Sequence, residues 1–274
     1  KKAFKTFVSN VKQDGFIVLG NDNEYVREMI KDINNKEYYT FGINYKSDFM
    51  PRNIRVEGFS TQFDIYFREK LLGELQLNVP GMHNIFNVMA AIAVGNRLGI
   101  SIEGMREAIK TFQGVQRRFQ IIGDVGGKKV IDDYAHHPTE IEATLKAARS
   151  CKPRKVYAIF QPHRYTRTQN LAKEFGSAFV DADEIILTNI YSAGEKPING
   201  VSSELIAESL RENGKKVVFI KSREDILDYI IDKVVPGDYI LTIGAGDISD
   251  TAYSIVYKLK SCPKEVIGNI PEVN

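Results

Sequence analysis

The sequence has 274 residues, 37 Lys+Arg against 35 Asp+Glu, a formal net charge of +2 and 43% hydrophobic residues. That near balance gives no electrostatic case for a dedicated nucleic-acid binder or an acidic partner, and the composition is globular, not disordered. At roughly 150 residues per domain the length fits about two domains, each able to bury a core without staples.

The first half has mixed grammar. Gly15-Phe-Ile-Val-Leu19 reads as a buried strand, and Glu24 to Ile33 as a helix. Between Tyr38 and Val79 apolar and polar residues alternate: Phe63-Asp-Ile-Tyr-Phe67 and Glu74-Leu-Gln-Leu-Asn-Val79 read as half-exposed strands of a small antiparallel sheet. Pro80-Gly81 breaks it, and Ile85, Val88, Met89 and Ile92 mark a helix. A second helix starts at Ser101 with Met105, Ile109 and Phe112 inward, and Gln113 to Arg117 is the expected domain junction.

The second half is regular. Gly123 to Lys129 joins two strands as a hairpin turn and lacks the spacing of a phosphate loop. Strands at Lys155–Phe160, Glu184–Thr188, Lys216–Ile220 and Asp238–Ile243 alternate with helices carrying Leu171, Phe175 and Phe179, then Leu205, Ile206 and Leu210, then Ile226, Leu227, Ile230 and Ile231. Ser202 reads as an N-cap and Gly214 as a stop. Such alternation predicts a parallel sheet, whose ligands sit outside the carboxyl ends of the strands. Gly244-Ala-Gly246 precedes the last helix, which runs to about Lys260, and suits an anion-facing start, although a bare G-x-G is weak evidence.

Two cysteines, Cys151 and Cys262, make neither a disulfide framework nor a metal-ligand spacing, so a cytoplasmic setting is the default and no metal site is expected. The longest near-apolar stretch, around Ile85 to Val94, contains Asn87 and falls short of the roughly 20 residues that span a bilayer, and no apolar run follows Lys1-Lys2. No membrane association is expected. The chain also opens without Met, as a piece of a longer protein would.

Three constellations carry chemistry. Gly81-Met-His83-Asn84-Ile-Phe-Asn87 places an imidazole and two amides at a helix start; Asn there serves as a cap or as a partner for both edges of a purine. Asp132-Asp133-Tyr134-Ala-His136-His137-Pro138 ends a strand and opens a helix with a high density of titratable groups, either a solvated acidic turn or a site. Gln161-Pro-His163-Arg164-Tyr-Thr-Arg167 follows a buried strand, and its two guanidinium groups favour an anionic ligand.

Taken in order, Gly81-x-His83-Asn84-x-x-Asn87, Arg117-Arg118-Phe119 and Asp132-Asp133-Tyr134-x-His136-x-Pro138 resemble the ATP-dependent Mur ligases of peptidoglycan synthesis. The likeness runs from about Gly81 to Lys260 and is weaker from Lys1 to Val79. It implies an α/β chain: residues 1–116 as the later part of a central ATPase domain, with its small antiparallel sheet, and residues 117–274 as a C-terminal Rossmann-like, mostly parallel domain. The family's phosphate loop and magnesium ligands would lie upstream, so the chain alone is expected not to turn over.

The resemblance also implies roles. His83, Asn84 and Asn87 would face adenine, Arg118 the phosphates of ATP, Asp133 the ribose, and His136 the acyl-phosphate region. His163, Arg164 and Arg167 would hold the incoming amino acid. The implied cofactors are ATP and Mg2+, and the implied substrates UDP-N-acetylmuramate and L-alanine. The loop through Arg167 and the segment Tyr191 to Glu195 resemble the member that takes free alanine more than the recycling member that adds a preformed tripeptide. A non-catalytic nucleotide-binding module is the other alternative.

Overall fold

The computed structural model describes residues 1–261; Cys262 lies outside the described residues. The chain divides into two compact units, residues 1–114 with 150–152, and the remainder.

The first unit runs α1 (Lys2–Ser9), β1 (Phe16–Gly20), α2 (Glu24–Ile30), β2 (Glu37–Phe41), β3 (Phe49–Glu57), β4 (Ser60–Phe67), β5 (Lys70–Leu77), α3 (Met82–Arg97) and α4 (Ile102–Thr111). Its five strands form one sheet in sequence order. The β1–β2 and β2–β3 pairs are parallel, whereas β3–β4 and β4–β5 are antiparallel. The expected antiparallel sheet is therefore the antiparallel half of a mixed one. Alternation places Thr61, Phe63 and Ile65 of β4 inward, where Ile85, Met89 and Ile92 of α3 and Met105 and Ile109 of α4 cover them in one apolar cluster with Phe49, Leu75 and Leu77. Ser101 caps α4, its Oγ accepting the Gly104 amide at 3.2 Å.

The second unit runs β6 (Gln120–Val125), β7 (Lys128–Asp133), α5 (Pro138–Ser150), β8 (Val156–Phe160), α6 (Tyr165–Ala178), β9 (Glu184–Leu187), α7 (Glu204–Glu212), β10 (Val217–Phe219), α8 (Arg223–Lys233), β11 (Tyr239–Ile243) and α9 (Ser249–Ser261). The sheet order is β10-β9-β8-β11-β7-β6. All pairs are parallel except the β6–β7 hairpin. Its turn uses Gly126 and Gly127 at φ 56° and 76°, a left-handed pair that glycine adopts without strain. Every residue of β8 and β11 is buried, as apolar runs covered on both faces require.

One cap differs from expectation. The helix α7 starts at Glu204, the Ser202 Oγ accepts the Glu204 amide at 3.2 Å, and the buried Ser203 instead donates to the Thr188 carbonyl at 2.6 Å. The hydroxyl next to the helix ties its start to the end of β9. Gly214 stops the helix at φ 72° as expected.

At the opposite end of β9 the buried Glu184 carboxylate meets Lys216 and Lys233, each at 2.9 Å, and the Tyr229 hydroxyl. Burial pushes this carboxyl up, but bonds from Tyr229, Lys233 and Lys216 outweigh it and hold the pKa at about 2. A depressed carboxylate contributes stability that is present above its unfolded value, near 4.5, and is lost as pH falls toward 2. We expect Glu184→Gln to cost on the order of 2 kcal/mol at pH 7, after discounting the exposed lysines. Urea unfolding should show that difference shrinking between about pH 4.5 and pH 2; a cost independent of pH contradicts the assignment.

Candidate active site

Register sets the site. Ile243 of β11 lies opposite both Asp133 of β7 and Phe160 of β8, and Phe160 lies opposite Leu187 of β9. Four strands thus end at one level, and the segments that follow them share one edge of the sheet. Hydrogen bonds continue the ladder past the strand ends: the Gly244 amide donates to the Asp133 carbonyl at 3.0 Å and the Gln161 amide to the Ile243 carbonyl at 3.0 Å.

Arg117 fastens this edge. Its Nε donates to Asp132 Oδ2 at 2.9 Å, Nη2 to the Gly244 carbonyl at 2.7 Å and Nη1 to the Gly246 carbonyl at 3.1 Å, while its own carbonyl accepts the Tyr134 amide at 2.6 Å. Asp132 is 1% exposed, and its other oxygen accepts the Thr242 hydroxyl at 2.7 Å. Gly244-Ala-Gly246 therefore serves close approach: a Cβ on Gly246 would lie 2.6 Å from Tyr191 Cγ, and one on Gly244 would lie 2.8 Å from the Gln161 carbonyl oxygen.

Asp133 is 4% exposed, and its two oxygens accept the amides of Phe119 at 2.8 Å and Ala135 at 2.7 Å. Burial pushes its carboxyl up, against those two amides and the Arg118 charge. It holds the turn that presents Tyr134 and His136. Arg118 is exposed, sits 5.7 Å from the Tyr134 ring centre and reaches Glu140 at 3.9 Å.

His136 leads into α5. Its Nδ1 lies 2.9 Å from the Tyr134 carbonyl and 3.5 Å from Glu140 Oε2. The same Glu140 oxygen accepts the amides of His136 at 3.0 Å and His137 at 3.2 Å, while His137 Nδ1 accepts the Thr139 amide at 3.3 Å. This is a reciprocal helix cap with histidine in the place usually held by Ser or Thr. Burial pushes the Glu140 carboxyl up, but the His136 amide, the His136 ring, the His137 amide and Arg118 outweigh it, and the net shift is downward.

His163 faces His136, with ring centres 5.6 Å apart, and stacks on Tyr191 at 5.7 Å with the ring planes 10° apart. Arg167 Nη1 donates to its Nδ1 at 3.0 Å and to its carbonyl at 3.1 Å. Burial, then the charges of Arg167, His136 and Arg164, lower the His163 pKa. Arg164 stands at φ 74° before α6, where its amide donates to the Tyr191 carbonyl at 2.8 Å. Glu195 caps α6, accepting the Thr166 amide at 3.1 Å and hydroxyl at 2.7 Å, and lies 3.9 Å from Arg164.

The second unit thus brings Arg118, Asp133, His136, His163, Arg164 and Arg167 to one sheet edge. The other three candidates belong to the first unit. His83 and Asn87 are exposed on the first two turns of α3, and Asn84 Nδ2 donates to the Pro80 carbonyl at 2.7 Å. A cavity of about 510 Å³ beside β1 and α3 is lined by apolar side chains and carries no titratable group. Among the described residues no three His, Cys, Asp or Glu side chains group as metal ligands, and no helix is long and apolar enough to cross a membrane.

Two residues escaped the sequence reading. Arg117 lay inside a recognised motif but was given no job. Glu140 stands three residues after His137, the spacing of a capping box, and the histidine at the cap position hid it.

A family model described as the Mur ligase middle domain matches residues 1–95, and one described as Mur ligase, glutamate ligase domain, matches residues 117–246. The UDP-N-acetylmuramate–L-alanine ligase of Pelotomaculum thermopropionicum is 47% identical over 264 residues, covering 96% of this chain and 57% of that protein. The enzyme of the same name from Carboxydothermus hydrogenoformans is 47% identical over 258 residues, covering 94% and 55%. The crystal structure of UDP-N-acetylmuramate–alanine ligase from Thermotoga maritima matches with a TM-score of 0.75 at 29% identity, covering 90% of this chain and 52% of that one. The chain spans a little over half the length of the curated relatives it matches.

Removing one member of a buried ion pair leaves the other charge without compensation, at a cost of about 3–5 kcal/mol. Because Arg117 is itself partly exposed, we expect Arg117→Met to cost about 3 kcal/mol, read as a fall in urea midpoint at unchanged slope. A loss below about 0.5 kcal/mol would contradict its role as the fastening of this edge.

Proposed function

Because this chain belongs to the Mur ligase family, we propose that it supplies the amino-acid site and part of the ATP site of a UDP-N-acetylmuramate–L-alanine ligase acting in the cytoplasm. The observation that carries this reading is the convergence of His136, His163, Arg164 and Arg167 at the carboxyl edge of one parallel sheet. A free amino acid offers one carboxylate, and a guanidinium fork binds it through two parallel bonds. Arg167 is half-spent on His163, which fixes its direction, whereas Arg164 is exposed and held by its backbone.

The reaction proposed is activation of the lactyl carboxylate of UDP-N-acetylmuramate to an acyl phosphate, attack by the alanine amine, and loss of phosphate. ATP would supply the phosphoryl group when bound. The residues present suit it: exposed His83 and Asn87 and the amide of Asn84 offer donors and acceptors to adenine, and the exposed Arg118 guanidinium offers charge to phosphate oxygens. Asp133 stands at the ribose position by resemblance. Its carboxylate already holds two amides, so its contribution is to shape the turn as much as to touch the sugar. Among the described residues no three His, Cys, Asp or Glu side chains group as a magnesium site, and we propose that its ligands belong to another part of the full polypeptide.

The test is alanine-dependent phosphate release by the polypeptide that carries this chain in the cell. Free alanine should support turnover and a preformed tripeptide should not; the reverse preference would favour the recycling reading, and neither would overturn both. The 274-residue chain alone should release no phosphate. Arg164→Lys and Arg167→Lys keep the charge and lose the fork, and each should raise the alanine KM by roughly 10–150-fold with little change in ATP KM. Unchanged alanine kinetics in both variants would overturn the assignment.

A further inference from the structure

The two facing histidines have opposite hydrogen-bonding characters, each set by a partner with a single role. The partner of His136 Nδ1, at 2.9 Å, is a backbone carbonyl, which only accepts. Nδ1 therefore carries the proton, and in the neutral ring Nε2 carries a lone pair. The partner of His163 Nδ1, at 3.0 Å, is a guanidinium, which only donates. There Nδ1 is the acceptor and Nε2 carries the proton. One ring thus presents an acceptor edge and its neighbour a donor edge, 5.6 Å apart centre to centre.

We propose that His136 Nε2 takes the first proton from the ammonium group of the incoming amino acid, and that Glu140 is the positioning residue that holds the backbone beneath the ring and so its direction. The inference rests on the functional reading above and goes beyond it by naming the base. His163 is unsuited to the task, since its lone pair is engaged by Arg167; its N–H edge suits a carboxylate oxygen of the same amino acid. Glu140 is suited to its task twice over. One oxygen accepts the amides of His136 and His137 and so fixes the backbone beneath the ring, and it lies 3.5 Å from His136 Nδ1, where its charge favours the imidazolium that forms.

Charged and titratable groups surround His136 from several segments, with His137 beside it in the same cap. Tyr134 lies edge-on in its own turn at 5.5 Å between ring centres, and Glu140 comes from α5. Arg118, from the segment before β6, faces Glu140 at 3.9 Å. His163 and Arg167 come from the end of β8 and from α6, and Glu195, beyond β9, faces Arg164.

The step balances. The ammonium gives one proton to Nε2, forming imidazolium, and the freed nitrogen lone pair forms the C–N bond at the acyl carbon. The C–O bond to phosphate then breaks, and its electron pair leaves with phosphate, which also takes the second nitrogen proton. Solvent recovers the proton from His136.

Long-range ¹H–¹⁵N correlation spectra of the 274-residue chain at pH 8 read the tautomers directly, since the sequence has only four histidines. His136 should be protonated at Nδ1 and His163 at Nε2; an Nε2-protonated His136 would overturn the proposal, with or without a foldable variant. Glu140→Gln retains an oxygen for the two amides, so the cap survives. The Tyr134 carbonyl still accepts from Nδ1, so the tautomer should persist, and in the active polypeptide kcat should fall by about 10-fold with alanine KM nearly unchanged. A variant whose kcat stays as in the parent overturns the role of Glu140. His136→Gln should lower kcat by about 100-fold or more at saturating alanine, leaving ATP KM in place. An active parent with an undiminished His136→Gln overturns this inference alone, whereas a parent without alanine-dependent turnover overturns the functional reading and the inference with it.

Discussion

The Arg117 guanidinium, shared among Asp132, the Gly244 carbonyl and the Gly246 carbonyl, is the interaction on which the candidate site depends. A charge as deeply buried as Asp132 is tolerable only with a close opposite charge and its remaining lone pairs satisfied, and Thr242 completes the set. The fork joins the end of β7 to the turn after β11, two strands remote in sequence and adjacent in the sheet. It also explains the backbone before β6, where Arg117 and Phe119 both take positive φ, 57° and 48°. Such conformations cost about 1–3 kcal/mol each and persist where surrounding bonds over-determine them. Here the Phe119 amide is held by Asp133 and the Arg117 carbonyl by Tyr134.

From that fastening the chemistry follows by short steps. Asp133 and the Tyr134 amide fix the turn, the turn aims His136, and Glu140 closes the first turn of α5 against it. Two bonds tie the segment after β8 to that after β9: the Tyr191 amide to the Pro162 carbonyl at 2.8 Å, and the Arg164 amide to the Tyr191 carbonyl at 2.8 Å. His163 is then stacked on Tyr191 and faces His136. Arg164, Arg167 and the starts of α5 and α6 make the edge rich in donors, and Glu140 and Glu195 cap those helix starts, Glu195 lying 3.9 Å from Arg164. Burial, then the charges of Arg167, His136 and Arg164, lower the His163 pKa.

The second unit was legible in the sequence because its central strands β8 and β11 are short, mostly apolar runs buried along their whole length, and because Gly126-Gly127 marks the β6–β7 hairpin. The candidate residues were legible as local clusters at strand ends. The first unit was less so. Its helix α1 buries only Val8 and exposes Phe4 and Phe7, so its apolar pattern does not report a core face. The parallel pairing of β1, β2 and β3 leaves no period that distinguishes it from a meander. Within the site, Asp133 read as one acid of a dense titratable turn, and its burial and its bond to the Phe119 amide are long-range facts that spacing does not carry. Arg117 and Arg118 are adjacent and chemically identical; only the fold shows that one is a fastening and the other an exposed charge.

In the proposed function one buried fork aims the residues that receive the amino acid, and an isosteric replacement separates aiming from folding. Substituting both Arg117→Met and Asp132→Leu removes the pair without leaving either charge buried alone, so the protein should remain folded. The direct measurement is the alanine KM of that double variant in the active polypeptide. The account predicts a rise of at least about 10-fold with ATP KM within about 2-fold of the parent; a folded double variant with the parent's alanine KM and kcat would contradict it.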